Sequence, residues 1–259
     1  MKNVALITGA SSGIGKELAK IHAKKGGDLV LIARNEDSLI SLKNDLELKF
    51  SVKVVNIIID LSVIGAAKEV YEKVKALNIE IEYLFNNAGF GLLGKFDELS
   101  WERQSQMINL NIIAVTELTY LFLSDMKKRN SGKILNTSST ASLLPGPLQA
   151  VYYATKAYIT SWGNALSEEL RDTNITVTNL LPGATETNFG TTSGMDKTKV
   201  FAKPVSALSV AQDGYNAMIK GEVDKISGLN CFQNMMIKII PFVPKKMLLK
   251  NVRQLQEVK

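Results

Sequence analysis

Short apolar runs alternate along this chain with longer segments whose apolar residues recur at helical spacing. Val4–Thr8, Leu29–Ala33, Val52–Ile59, Ile81–Phe85, Lys133–Thr137 and Ile175–Leu181 read as strands. Ile14–Lys25 reads as a helix, with Ile14, Leu18 and Ile21 on one face, and so does Glu36–Phe50, with Leu39, Leu42 and Leu46 in step. Ala66–Leu77, Tyr152–Leu170 and Ser209–Lys220 are further helices, Trp101–Met126 is one long helix or two successive ones, and Lys225–Leu229 is a last short strand. Strands that are apolar at nearly every position must be covered on both sides. The order therefore predicts an α/β fold whose parallel sheet carries helices on both faces. Residues 184–203, rich in Thr, Gly and Lys, read as a long loop. The extension 231–259 reads as an amphipathic helix broken around Pro241–Pro244. With no linker-like shift in composition and no internal repeat, residues 1–259 read as a single domain.

Composition narrows the function. The 259 residues are 46% hydrophobic and 22% charged, which excludes a disordered, collagen-like or coiled-coil chain. A single cysteine, Cys231, and a single histidine, His22, exclude a disulfide framework, a cysteine zinc cluster and a multi-histidine metal site. Cys231 is expected to be buried or partly buried and inert, and His22 to sit at the surface or its boundary, away from chemistry. The first apolar run is too short for a signal peptide, and no window approaches the roughly 20 apolar residues of a membrane span. A cytoplasmic protein is the expectation. The net charge of +6 would suit nucleic acid, a membrane surface or an anionic substrate. Its distribution decides among these. Residues 1–194 hold 20 basic and 20 acidic side chains, and residues 195–259 carry the whole excess. With a neutral body and no basic helix, nucleic acid drops out. An anionic, lipophilic substrate and a membrane surface remain, with simple solubility as the third reading.

The first predicted strand runs into Thr8-Gly9-Ala10-Ser11-Ser12-Gly13-Ile14-Gly15, and a helix follows. Gly9 permits the turn off the strand, Gly13 lets the backbone approach a pyrophosphate, and Gly15 lets the helix pack closely on the sheet. Free N–H groups at the helix start then face the phosphates.

The spacing T-G-x-x-x-G-x-G resembles the fingerprint of the short-chain dehydrogenase/reductase family, and further family-like motifs follow in order over residues 3–190. The resemblance implies a single Rossmann-like doubly wound sheet and a nicotinamide cofactor. Gly9, Ser11, Ser12, Gly13, Ile14 and Gly15 would form its phosphate turn, and Asp60-Leu61 would contact the adenine. Asn87, Ala88 and Gly89 of the N-N-A-G segment would line its cleft, and Pro182, Gly183, Thr185 and Thr187 would hold the nicotinamide carboxamide. The second strand ends Ala33-Arg34-Asn35 with no acid until Glu36. An acid there would favour a ribose 2′-hydroxyl, whereas Arg34, helped by Ser11 or Asn35, suits a 2′-phosphate. NADP(H) rather than NAD(H) is expected.

Asn111, Ser139, Tyr152 and Lys156 match the family's catalytic tetrad. Tyr152 and Lys156 lie four apart and so share a helix face. The ammonium, together with an oxidised nicotinamide, is expected to lower the tyrosine pKa for acid/base work, and Lys156 to bind the nicotinamide ribose as well. Ser139 would hold the substrate oxygen. Asn111 would hold a water that links Lys156 to solvent. Tyr153, Tyr158 and Ser138 compete by residue type, and the family spacing selects against them; Asn109 competes with Asn111. No metal is implied. The resemblance predicts hydride exchange between a ketone or aldehyde and an alcohol, and Leu143, Leu144, Pro145, Pro147, Leu148 and Phe189 suggest a lipophilic one. A sugar-nucleotide epimerase or dehydratase and a non-enzymatic cofactor-binding or scaffold protein are the rival readings. A homodimer or homotetramer through helices near 103–127 and 152–170 is implied. The extension would cover the sheet edge or a dimer contact, or else serve as a substrate lid or a peripheral membrane helix.

Overall fold

The computed structural model describes residues 1–230 and 239–257 and, between them, Gln233, Met235 and Ile237. Cys231 lies outside the described residues, as does part of the extension read as helix. Seven parallel strands, β1 Val4–Thr8, β2 Leu29–Ala33, β3 Val54–Ile58, β4 Ile81–Asn86, β5 Gly132–Thr137, β6 Ile175–Pro182 and β9 Asp224–Ser227, form one sheet in the order β3-β2-β1-β4-β5-β6-β9. Successive residues of a strand point to opposite faces. Ala5 and Ile7 of β1, with Leu29 and Leu31 of β2, pack under α1 Gly13–Lys24, α2 Glu36–Phe50 and α8 Ala207–Lys220. Val4, Leu6, Val30 and Ile32 pack under α3 Ala66–Ala76 and α5 Val115–Arg129, where α6 Ala150–Glu169 also adds its end. Apolar residues at every strand position are thus explained by two cores, one on each face.

A line of amides crosses the sheet near its carboxyl end. Asn86, Asn136 and Asn179 are register partners on β4, β5 and β6, all buried. Asn86 Nδ2 donates to Asn136 Oδ1 at 2.9 Å, Asn136 Nδ2 donates to Asn179 Oδ1 at 3.3 Å, and Asn179 Nδ2 reaches Asp224 of β9 at 3.0 Å. This row joins the strands from which the cleft residues emerge.

Three expectations change. Residues 184–203 are not a loop. They form β7 Thr185–Glu186, paired with β8 Val205–Ser206, then α7 Asn188–Ser193 and two 3₁₀ turns, Met195–Lys197 and Lys199–Phe201. Each piece is too short for a periodic signal, and Thr187, Ser193 and Thr198 hold them by bonds to nearby backbone. Second, α4 Trp101–Ile108, a π-helical stretch Asn109–Ala114 and α5 run on as one helix that is long and apolar enough, by length and composition, to cross a membrane. Here α5 packs against α3, β4 and β5.

Third, His22 is buried. Its Nε2 lies 2.7 Å from the Asn3 carbonyl oxygen and its Nδ1 3.0 Å from the Tyr215 hydroxyl. A neutral ring fits both partners: Nε2–H donates to Asn3, and Tyr215 O–H donates to Nδ1. Burial holds the His22 pKa below its ordinary 6.5, against the opposing pull of the Asn3 bond and the Asp28 charge. The unfolded chain therefore takes up this proton first, and the stabilisation is fully present above about pH 6.5 and declines as pH falls below it. The urea midpoint is expected to drop between about pH 7.5 and about pH 5.5. His22→Gln should be less stable at the higher pH and show a flatter dependence.

Candidate active site

The chain winds from β1 outward to β2 and β3 and then crosses back to β4 on the other side of β1, so the connections leaving the carboxyl ends of β1 and β4 run in opposite directions and leave a crevice between them, the usual ligand position in such sheets. Thr8, the last residue of β1, closes its floor. Its Oγ1 donates to the Phe85 carbonyl at 3.2 Å and accepts the N–H groups of Asn87 and Ala88, both at 2.9 Å. Asn87 Nδ2 returns a bond to the Thr8 carbonyl at 3.0 Å. These bonds seat the glycine turn beside the segment after β4.

The turn presents bare backbone. Gly13 has φ +53°, and a Cβ on it would come within 2.7 Å of Thr187 Cγ2. A Cβ on Gly15 would lie 2.4 Å from the Gly9 carbonyl oxygen and 2.5 Å from Asn87 Nδ2, so Gly15 packs on the turn itself rather than on the sheet. α1 starts with no side-chain cap and no acid in its first turn. Its first N–H groups and positive dipole end therefore stand toward the crevice, where Ser11, Ser12, Gly13 and Ile14 line the wall.

The crevice has a volume of about 330 Å³ and gathers most of the residues expected from sequence: Gly9, Arg34, Asp60, Leu61, Asn87, Ala88, Gly89, Ser139, Tyr152, Lys156, Pro182, Gly183, Thr185 and Thr187. Arg34 is exposed at its rim, with Nη1 3.4 Å from Asp60 Oδ2. Partial burial would raise the Asp60 pKa, but two bonds from Ser62 and the Arg34 charge hold its carboxyl below the usual range. Besides Gly15, two expected residues stand back from the cleft wall. Asn35 is a helix cap, with Oδ1 accepting the Ser38 N–H at 2.8 Å. Asn111 is buried in the π-helical stretch. Its Nδ2 donates to the Phe90 carbonyl at 3.0 Å and to Thr155 Oγ1 at 3.1 Å, and its Oδ1 accepts the Phe90 N–H at 3.2 Å. Asn111 thus ties the segment after β4 to α6.

Two of the competing residues point away from the cleft chemistry, and Tyr153 does not. Ser138 faces α6 and bonds the Lys156 carbonyl and Thr160, whereas Ser139 caps the turn Thr140–Leu143 and lines the cleft with Tyr152. Tyr158 reaches Thr116 on the outer surface. Tyr153 lines the cleft beside Tyr152, ring centroids 6.0 Å apart and edge to face. Lys156 Nζ donates to the Thr137 carbonyl at 2.7 Å and lies 5.9 Å from the Tyr152 ring centre. Its charge, together with an oxidised nicotinamide, was expected to lower the tyrosine pKa. Among the chain's own groups burial dominates. It pushes the Tyr152 phenol well above its ordinary range, with the Ser139 hydroxyl pulling the other way, and draws Lys156 down to about 8.

The substrate end is walled by Phe90, Tyr153, Phe189, Met195, Val200 and Phe201. Behind it lies a part that sequence reasoning left open. The last helix, Lys245–Gln256, packs against the turn Lys199–Phe201, and its Val252 and Leu248 join the apolar cluster around Tyr152 and Tyr153. Its buried Gln256 bonds Gln149 and Tyr153. The period Leu248, Val252, Gln256 was the available signal.

This geometry fits a nicotinamide dinucleotide: a backbone cradle that a Cβ would fill, uncapped N–H groups for phosphates, and hydroxyls at the far end. Residues 3–198 match the family model described as short chain dehydrogenase. The chain is 36% identical over 186 residues to the very-long-chain 3-oxoacyl-CoA reductase of Rattus norvegicus, a match that takes in 69% of this chain and 58% of that protein. It thus spans less than two thirds of that relative's length. A solved short-chain dehydrogenase from Sphingobium yanoikuyae, in complex with NADPH, superposes with a TM-score of 0.82 over 93% of this chain and 96% of its own, at 27% identity. L-Sorbose reductase from Gluconobacter frateurii, complexed with NADPH and L-sorbose, does so with a TM-score of 0.77 over 87% and 94%, at 26% identity.

Thr8→Val is expected to leave the half-buried Ala88 N–H without an acceptor and the Asn87 N–H with the Phe85 carbonyl alone, at about 1–3 kcal/mol. Chemical denaturation should register a loss of that order, and Thr8→Ser should recover most of it.

Proposed function

Because the chain belongs to the short-chain dehydrogenase family, we propose that it is an NADP(H)-dependent oxidoreductase that interconverts a lipophilic carbonyl compound and its alcohol, with Tyr152 as the acid and base. The observation that carries this reading is the Ser139–Tyr152 hydroxyl pair at the head of the crevice, one helical turn from Lys156 and continuous with the glycine turn.

A bound NADPH supplies the hydride that a carbonyl carbon takes up. The chain's own residues manage the oxygen. Ser139 and Tyr152 hold it between two hydroxyls, and Tyr152 gives up its proton as the alcohol forms. Burial keeps the phenol protonated until then, the state an acid needs. Lys156 carries the nearest positive charge, which stabilises the phenolate left behind, and its ammonium can bond the nicotinamide ribose. Asn111 holds the segment beside Gly89 in place. In the reverse direction Tyr152 removes the alcohol proton. The uncapped start of α1 receives the pyrophosphate, and Arg34 pairs with the 2′-phosphate at the rim.

The apolar walls support a lipophilic substrate, and the rat relative is named for a long-chain acyl thioester. Lys197, Lys199 and Lys203 stand exposed around the turns that border the substrate end, a fit to the anionic carrier of such a thioester. A second copy of the chain is the proposed partner, supported by Ile113, Tyr120 and Tyr158, exposed on adjacent helices.

Tyr152→Phe is expected to lose at least about 10³-fold in NADPH oxidation, with NADPH affinity within about two-fold of wild type. The assay is a panel of ketones, aldehydes, steroids and 3-oxoacyl thioesters, and wild-type rates in this variant would end the proposal. Arg34→Ala should weaken NADPH by about ten-fold or more and leave NADH nearly unchanged in a fluorescence titration. An equal loss for both would remove the 2′-phosphate assignment.

A further inference from the structure

The last helix holds a polar lock inside an apolar contact. Leu248 and Val252 lie in the cluster with Tyr152, Tyr153 and Phe189, and the next residue on that face, Gln256, has no exposed surface. Gln256 Oε1 accepts from Gln149 Nε2, and Gln256 Nε2 donates to the Tyr153 hydroxyl. Each partner matters. Gln149 is the N-cap residue of α6, the helix that carries Tyr152 and Lys156. Tyr153 is a wall of the substrate end and touches the Tyr152 ring edge to face. Its position is otherwise set by the absence of a side chain at Gly146, where a Cβ would fall 2.2 Å from the ring. An aliphatic residue at position 256 would bury the same face without needing partners. A buried amide instead fixes register, because a shifted helix leaves the Tyr153 hydroxyl and the Gln149 amide unpaired.

We propose that Gln256 is a positioning residue that fixes the Tyr153 wall, and that through it the last helix determines which length of apolar chain the substrate end accepts. The proposal rests on the carbonyl-reductase reading for its substrate class. Gln256 touches neither the reacting atoms nor the cleft; it acts through Tyr153 and the start of α6.

The test uses all 259 residues of the chain with Gln256→Ala, and Gln254→Ala on the exposed side of the same helix as a control. Binding of decan-2-one in saturating NADP⁺ is measured by calorimetry, and NADPH-dependent turnover on decan-2-one and butan-2-one is measured in parallel. Gln256→Ala is expected to weaken decan-2-one binding about ten-fold and raise its KM similarly, with kcat on either ketone falling less than about three-fold and NADPH affinity within about two-fold. The control should match wild type. Equal losses on both ketones, or no change on either, would overturn the proposal. Failure of wild type to bind decan-2-one would overturn it even if butan-2-one is reduced. If decan-2-one binds with the expected ten-fold difference but no carbonyl oxidises NADPH, the wall stands and the enzymatic reading falls. Should Gln256→Ala not fold, Gln149→Ala breaks the same lock from the other side and carries the same expectation.

Discussion

One hydroxyl sets the geometry on which the rest of the cleft depends. A parallel sheet ends in a row of strand carboxyl ends whose onward N–H groups have lost their ladder partners, and buried ones must find others. Thr8 answers this at the point where the sheet divides, taking the first two N–H groups after β4 onto one oxygen. Asn87 is thereby turned so that its amide closes on the Thr8 carbonyl, which leaves Gly15 no room for a side chain. The glycines are consequences of that closeness as much as of any ligand. The amide row from Asn86 to Asp224 does comparable work one residue earlier, binding β4, β5, β6 and β9 at the level where the cleft begins.

Burial then decides the chemistry of the side chains that emerge. Tyr152 and Lys156 are both taken out of water, and each is pushed toward its neutral form, the phenol by a raised pKa and the amine by a lowered one. The two shifts have one cause and opposite sign, so a single apolar surrounding keeps a phenol protonated beside an amine that titrates at about 8. Some of that surrounding comes from far along the chain. Without Leu248 and Val252 the cluster around Tyr152 would lose one side. The last helix therefore belongs to the site's electrostatics as well as to its shape.

Where a segment's physics is repetitive, the sequence discloses it. Strands buried on both faces must be apolar throughout, and helices on a sheet must repeat near 3.6, so the alternating order was legible to within two residues at most boundaries. The glycine turn, Ser139, Tyr152 and Lys156 were legible because spacing within one turn or one helix translates directly into space. The features that escaped depend on contacts made once. The pieces between 184 and 203 are held by single hydroxyl bonds. His22 is enclosed by Tyr83, Phe85 and Tyr215, the last of them 193 residues away. Asn35 serves its own helix, a role open to any asparagine before a helix start. The Tyr152 pKa could not be read from a neighbouring lysine, because burial, which outweighs it, is a property of the whole fold.

The charge asymmetry gains a sharper meaning from the docking of the last helix. An amphipathic helix has one apolar stripe, and here Leu248, Val252 and Gln256 lie against protein. Lys245, Lys246, Lys250 and Arg253 are the residues it turns outward. A free membrane-surface helix would keep that stripe for lipid, so any attraction of this helix to a bilayer must rest on its basic face and on separate exposed residues such as Phe242 and Met247. A basic face attracts phosphate whether it belongs to a lipid headgroup or to a soluble carrier, and the attraction weakens with salt in both cases. The two differ in the group attached to the phosphate and in where that group can go. The turn Lys199–Phe201 joins this helix to the cleft: its lysine is exposed, and its Phe201 forms part of the substrate wall. Charge outside and an apolar wall inside, on one short turn, match a molecule that is itself anionic at one end and apolar at the other.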